Sequence, residues 1–387
     1  MQSGNSPTRL IIDAHLDLAY NALTWRRDLR RAACYTRDQE SGSAAQKHNG
    51  QATVGWPDLV RGRVGIVFGT IFCQPRTHQM SPHELTYETP YEAHEQGMAQ
   101  LDFYRRWEER EPEHVKLIGT KSDLEGVVSE WLTTDDGRPT TYGPAPAVRR
   151  PSSPLLSGVS SLHHRIGIVP LMEGADPILE PKELERWYEK GLRIVGPAWD
   201  TTRYAGGTWQ GGGITRLGRE LFEVMAQFKM ILDVSHLSHR ALFDALDLYE
   251  GEHVIASHSN PHRFVNTERQ LPDAAIERIA ERGGVIGIVL FNKFLKQDWS
   301  GKKHDVSFDQ VVRAIDHVCQ VTGSADHVGI GSDFDGGFGA EATPREINTA
   351  RDLHKIGDEL LQRGYEVSHV AQILHGNWLR VLRAALP

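Results

Sequence analysis

The amino-acid sequence predicts an α/β protein, a (β/α)8 TIM-type barrel with loop insertions and C-terminal helices. Three observations carry that expectation. Eight short, β-branched apolar runs recur along the 387 residues, each bounded by Gly, Pro or polar clusters, and such runs read as strands buried on both faces. Helical periodicity fills most of the intervals between them, which is the alternation that builds a parallel sheet. Neither G-x-G-x-x-G after the first run nor G-x-x-x-x-G-K-[ST] occurs, whereas an open doubly wound sheet would normally bring such a phosphate-binding turn.

In chain order the strands are expected at Leu10–Ala14, Val64–Ile71, Gly167–Met172, Leu192–Val195, Met230–Val234, Val254–Ala256, Gly284–Leu290 and Val328–Gly331. Helices are expected at Tyr91–Glu111, Pro181–Lys190, Arg216–Phe228, Ser238–Tyr249, Pro272–Arg282 and Ser307–Val321. Two more, near Thr343–Arg363 and Glu366–Ala385, follow the eighth strand. Thr133–His164, rich in Pro, Ser and Gly, reads as a loop insertion, and Gly211–Gly213, with no Lys after it, as a flexible loop. No internal repeat is present, and residues 1–387 read as one barrel domain, a length the fold accommodates with insertions.

Composition narrows the function classes. Lys and Arg total 43 against 51 Asp and Glu, a net charge of −8 without a basic stripe, which argues against nucleic-acid binding. Hydrophobic residues make up 39% of the chain, enough for a sizeable core, yet runs such as Val285–Phe291 are too short to span a membrane. The first residues lack the charged start and apolar run of a secretory signal and the last ones lack a lipid-anchor tail, so a cytoplasmic protein is expected. Cys34, Cys73 and Cys319 are far apart and odd in number, which suggests neither a disulfide framework nor a thiolate metal site.

Catalytic groups of a (β/α)8 barrel sit at the C-terminal ends of its strands, and five of the eight runs end in a metal-ligating residue. The first runs into His15-Leu16-Asp17, whose alternation puts the imidazole and the carboxylate on one face. The third ends in Glu173, the fifth in His236, the sixth in His258 and the eighth in Asp333. Any one of these has an ordinary explanation, such as a packed histidine or a helix-capping carboxylate. Together they form a set of imidazoles and carboxylates without a thiolate, which suits one or two zinc-like ions with a carboxylate able to bridge. A structural zinc would instead use closed, Cys-rich ligation. No H-E-x-x-H, no G-x-S-x-G and no complete EF-hand loop competes with this reading.

Asp-Ala-His15-Leu-Asp17, Met-Glu173-Gly-Ala-Asp, Asp-Val-Ser-His236-Leu-Ser, Ala-Ser-His258-Ser-Asn and Gly-Ser-Asp333-Phe-Asp-Gly together resemble the membrane (renal) dipeptidase family of metal-dependent amidohydrolase-type barrels. The resemblance runs from Asp13 to the last helices. It implies that His15 and Asp17 hold one zinc ion, His236 and His258 a second, and that Glu173 bridges them. It further implies that Asp333 handles the proton of the attacking water and that Arg269, in Asn-Thr-Glu-Arg269-Gln-Leu-Pro, binds the substrate's terminal carboxylate. From the sequence alone, Arg269 reads equally well as one more solvated charge.

The same resemblance implies hydrolysis of dipeptides, including those with a D-residue in second position, and a homodimer. The chain departs from the family in two places. Its first and last residues read without the secretion signal and the lipid anchor of vertebrate members, so a soluble bacterial-type member is expected. Where characterised members have a His after strand four, the stretch reads Arg-Ile-Val-Gly-Pro-Ala-Trp199. Trp199 could offer its indole N–H to a developing oxyanion or could simply line the pocket wall. Two other readings stay open: a hydrolase of N-acyl amino acids, lactones or phosphoesters on the same barrel, and a metal-binding protein without catalysis, against which the presence of Asp333 argues.

Overall fold

The computed structural model of the protein describes residues 10–132 and 164–387. Eight parallel strands form the barrel: β1 (Ile11–Leu16), β2 (Val64–Phe72), β3 (Ile166–Glu173), β4 (Ile194–Gly196), β5 (Ile231–Asp233), β6 (Val254–Ile255), β7 (Ile286–Ile288) and β8 (Val328–Ile330). Their order is β6-β5-β4-β3-β2-β1-β8-β7, and a parallel bridge between Ala256 and Ile286 joins the two ends. Each expected strand is found within a few residues of its place. All are buried along their length, as strands with helices outside and side chains within must be.

A ninth strand, Val115–Leu117, escapes the sequence pattern. It pairs with Ile166–Ile168 in the first half of β3, and β4 takes over along Leu171–Glu173. The eight-residue β3 is thereby shared on one side by two three-residue neighbours.

The helix expected over Tyr91–Glu111 spans Pro90–Arg110. A capping box between Thr89 and Glu92 starts it, satisfying two otherwise unpaired backbone N–H groups. The expected Thr343–Arg363 helix is confined to Lys355–Gln362. Upstream, Thr343 turns its hydroxyl to the Ala340 carbonyl and Thr349 caps a separate short turn over Ala350–Asp352. Such local side-chain bonds compete with helix formation.

Gly211–Gly213 is not a flexible loop. It belongs to a strand, Gly211–Ile214, that pairs antiparallel with Ala205–Gly207, forming a hairpin after β4. The expected 133–164 insertion lies, apart from His164, outside the described residues. No described helix is long and apolar enough to cross a membrane.

Candidate metal centre

His15, Asp17, Glu173, His236, His258 and Asp333 converge at the C-terminal mouth of the barrel. His15 lies in β1 and Glu173 ends β3, while Asp17, His236, His258 and Asp333 occupy the first residues past β1, β5, β6 and β8. Their ligand atoms fall into three overlapping groups, each within 4.8 Å: His15 with Asp17 and Glu173, Glu173 with His236 and His258, and His15 with His258 and Asp333. Glu173 divides its carboxylate between two sides. Oε2 is 3.4 Å from His15 Nε2, and Oε1 is 3.0 Å from His236 Nε2 and 3.3 Å from His258 Nε2. Asp17 Oδ1 and Asp333 Oδ1 are each 3.9 Å from His15 Nε2.

The backbone is bent to this purpose. His236 and Asp333 have φ of +65° and +60°, a conformation costly for side-chain-bearing residues and common at functional sites. The hairpin after β4 holds the His236 turn in place, with Thr208 Oγ1 donating to the His236 carbonyl at 2.9 Å and Ser238 Oγ to the Gly212 carbonyl at 2.6 Å. At the facing strand end, a Cβ on Gly331 would lie 1.9 Å from the Ser257 carbonyl oxygen, so only glycine there lets β6 and β8 close in around His258 and Asp333.

Two buried aspartates orient these groups, and the sequence reading passed over both. Asp13 accepts from the Ser332 N–H at 2.7 Å and the Ser332 hydroxyl at 2.5 Å. Asp233 accepts from the Ser257 N–H at 2.9 Å and the Ser257 hydroxyl at 2.5 Å. Each clamps the serine just before a site residue on the neighbouring strand. Because Ser257 spends its proton on Asp233, it accepts from the Nδ1–H of His258 at 2.8 Å and faces the Nδ1 of His15 at 3.4 Å. Both rings thereby turn Nε2 toward the centre. A carboxylate inside an apolar run was the available signal, since a buried charge needs partners.

Each group's titration reflects this crowding. Burial pulls His15 down, but Glu173, Asp17 and Asp333 outweigh it and hold it up to about 10. Burial works against the Glu173 carboxylate, yet His15, His236 and His258 keep it well below its usual range. Burial and then the Arg269 cation depress His236 to about 4, while burial and the charge on His15 take His258 well below its ordinary value. Asp17 is pushed up to about 7 by burial and Glu173. Burial also drives Asp333 well above the normal carboxylate range, with Asp17 and Glu173 adding repulsion that His15 only partly offsets. His15 Nε2 is buried without a hydrogen-bond partner. Three acidic groups and an unpaired ring nitrogen around one point form a mixed carboxylate and imidazole donor set that fits divalent cations.

Arg269 is buried, not solvated. Its Nη1 donates to Ser259 Oγ at 2.9 Å and its Nη2 to the His258 carbonyl at 2.8 Å, while Nε has no partner. Trp199 packs against Phe72, His78 and Trp209, with its ring 6.0 Å from that of His236. His78 and Trp209, far apart in sequence, carried no spacing that could have flagged them. A cavity of about 620 Å³ between Trp25–Asp28 and Tyr35–Ala45 is lined by none of the three ligand clusters.

A family model described as "Membrane dipeptidase (Peptidase family M19)" matches residues 158–386. The chain belongs to the membrane dipeptidase family. As a member it is a metallo-dipeptidase-type enzyme, a hydrolase of peptide bonds. An uncharacterized Klebsiella pneumoniae protein from the pqqA 5' region is 32% identical over 213 residues, 53% of this chain and 76% of that protein. Dipeptidase tcpJ of Claviceps purpurea is 34% identical over 176 residues, 44% of this chain and 38% of that one. Among solved structures, a Rhodobacter sphaeroides metallo peptidase liganded with a phosphinate mimic of the dipeptide L-Ala-D-Ala superposes with a TM-score of 0.73 at 22% identity, covering 97% of this chain and 99% of that one. The probable dipeptidase PvdM of Pseudomonas aeruginosa gives 0.72 at 20%, covering 97% and 95%. At these identities the superpositions show a shared barrel fold. They show it over nearly the full length of this membrane dipeptidase family member.

Proposed function

We propose that the protein is a dipeptidase carrying two divalent ions, zinc by donor preference, and that its substrates include L-D dipeptides. The observation that supports this best is the division of the Glu173 carboxylate, with one oxygen toward His15 and the other toward His236 and His258. In this reading His15 and Asp17 would hold one ion and His236 and His258 the other, with Glu173 placed between the two pairs. Bound there, the ions would polarise the scissile carbonyl and lower the pKa of water toward neutrality. Ser257 keeps two of the ligand imidazoles in the tautomer that presents Nε2.

Asp333, on its strained turn beside His15, accepts the proton of the attacking water and delivers it to the departing amine. Arg269 binds the substrate's free carboxylate; its Nη atoms are already oriented by Ser259 and the His258 carbonyl, which pre-pays part of the ordering. Trp199 forms the wall beside His236. The reading treats residues 1–387 as one catalytic domain, cytoplasmic and homodimeric, with small dipeptides as its partners and neither nucleic acid nor membrane.

The test joins metal counting to turnover. Protein prepared with excess zinc should hold two ions per chain and cleave dipeptides in preference to N-acetyl amino acids, lactones and aryl phosphates. Chelation should abolish that activity and zinc should restore it. A count that stays at one ion, or a preference for one of the other substrate classes, would overturn the proposal.

A further inference from the structure

Three rings from separate segments form one surface beside the candidate centre. His78 ends a short turn (Arg76–His78) after β2, Trp199 follows β4, and Trp209 sits at the tip of the 205–214 hairpin. His78 lies 5.1 Å from Trp199 and 5.6 Å from Trp209, ring centre to ring centre. The two indoles are 4.7 Å apart, and they stand 6.0 Å and 6.1 Å from the ring of His236. The surface therefore runs unbroken from a candidate metal ligand to solvent.

This surface is rigid. Phe72 backs Trp199. Asp200, 2% exposed, holds His78 Nε2 at 2.5 Å and receives Gln210 Nε2 at 2.7 Å, so the imidazole cannot swing freely. The hairpin that carries Trp209 is itself bonded to the His236 turn. Yet Trp209 remains 54% exposed. A fixed, solvent-facing indole beside a candidate site is apolar area awaiting an occupant.

Position names that occupant. In an eight-stranded barrel the loops after β2 to β4 face those after β6 to β8 across the mouth, and Arg269 belongs to the segment after β6. On the dipeptidase reading, a substrate with its carboxylate at Arg269 and its scissile bond at the centre lays its first residue over His78, Trp199 and Trp209. We infer that this wall is the subsite for the N-terminal side chain and that it selects a large aromatic one. Rings prefer tilted or edge-on ring partners. Asp200, the carboxylate bonded to this wall, is buried and meets His78 and Gln210 through Oδ2, leaving Oδ1 unpartnered, so a cationic side chain is the competitor that the test must exclude.

The experiment measures kcat/KM of the zinc-loaded enzyme on Phe-Ala, Leu-Ala, Lys-Ala and Ala-Ala, together with the Kd of non-cleavable phosphinate analogues of Phe-Ala and Ala-Ala by calorimetry. Phe-Ala should exceed Ala-Ala by about tenfold or more in both readouts. Trp209→Ala, a change at an exposed position, should collapse that ratio toward one, and Trp209→Phe should keep most of it. A wild-type ratio near one, a preference for Lys-Ala, or a ratio that survives Trp209→Ala would each overturn the subsite while leaving the dipeptidase reading intact. No turnover on any dipeptide would instead overturn that reading, and the inference with it.

Discussion

Replacing Ser257 with alanine removes one hydroxyl that serves both halves of the candidate centre. Its Oγ lies 2.5 Å from Asp233 Oδ2, 2.8 Å from His258 Nδ1 and 3.4 Å from His15 Nδ1. In the variant, Asp233 Oδ1 keeps the N–H groups of Ser235 and Ser257, so the strand ends stay joined, while Oδ2 loses its hydroxyl and costs about 1–3 kcal/mol in stability. The larger effect falls on the imidazoles. With Nδ1 unpaired in a dry site, each ring can take the tautomer that points an N–H at the centre, and loss of such an outer partner lowers metal affinity by about 10- to 100-fold. Because His15 and His258 belong to different proposed ion sites, both affinities should fall together. Dialysis against graded zinc buffers with elemental counting, and calorimetry of the metal-free protein, would read this directly. Two ions bound with wild-type affinity, or weakening at one site alone, would refute the shared role of this hydroxyl.

Asp333→Asn should leave the metal content nearly intact and lower kcat by roughly 10²–10⁴, since asparagine tolerates the left-handed backbone but accepts no proton; single-turnover kinetics with parallel metal analysis would check it. Arg269→Ala should weaken cleavage of dipeptides by about ten- to a hundredfold while leaving their C-terminal amides much less affected, as kcat/KM on matched pairs would show. Trp199→Phe should keep kcat within a few-fold; a loss of about 2.7–4 kcal/mol in transition-state stabilisation would instead assign its indole N–H to the oxyanion. Burial pushes the His375 imidazole down to about 4, below its unfolded value near 6.5. The unfolded chain therefore takes a proton that the folded one refuses, and stability falls as pH drops through 6.5 toward 4. His375→Gln should remove about 1.5 kcal/mol of the loss between pH 6.5 and 5, measured by urea unfolding.

The eight barrel strands were legible because burial on both faces leaves a continuous apolar run, as in β2 and β3. The six metal-centre candidates were legible because the fold fixes where strand ends must lie. Val115–Leu117 was not, since three residues with one lysine among them carry too little pattern. The interior aspartates Asp13 and Asp233 interrupt apolar runs and could have been noticed, but their serine partners lie on other strands, 319 and 24 residues away. His78, Asp200 and Trp209 meet through loops, where spacing along the chain says nothing about distance in space. Thr343–Arg363 misled because its apolar spacing is helical, while Pro344 and the hydroxyls of Thr343 and Thr349 favour turns.

The clamp from Asp13 to Ser332 also bears on how the molecule is made. Strand β1 leaves the ribosome first, but its partner β8, with Ser332 and Asp333, emerges some three hundred residues later. Until then β1 presents an unpaired edge and a buried-type carboxylate with no hydroxyl to receive, the kind of nascent surface that invites mispairing. A chain interrupted before Val328 would carry His15, Glu173, His236 and His258 but lack both the strand that pairs with β1 and the serine that partners Asp13.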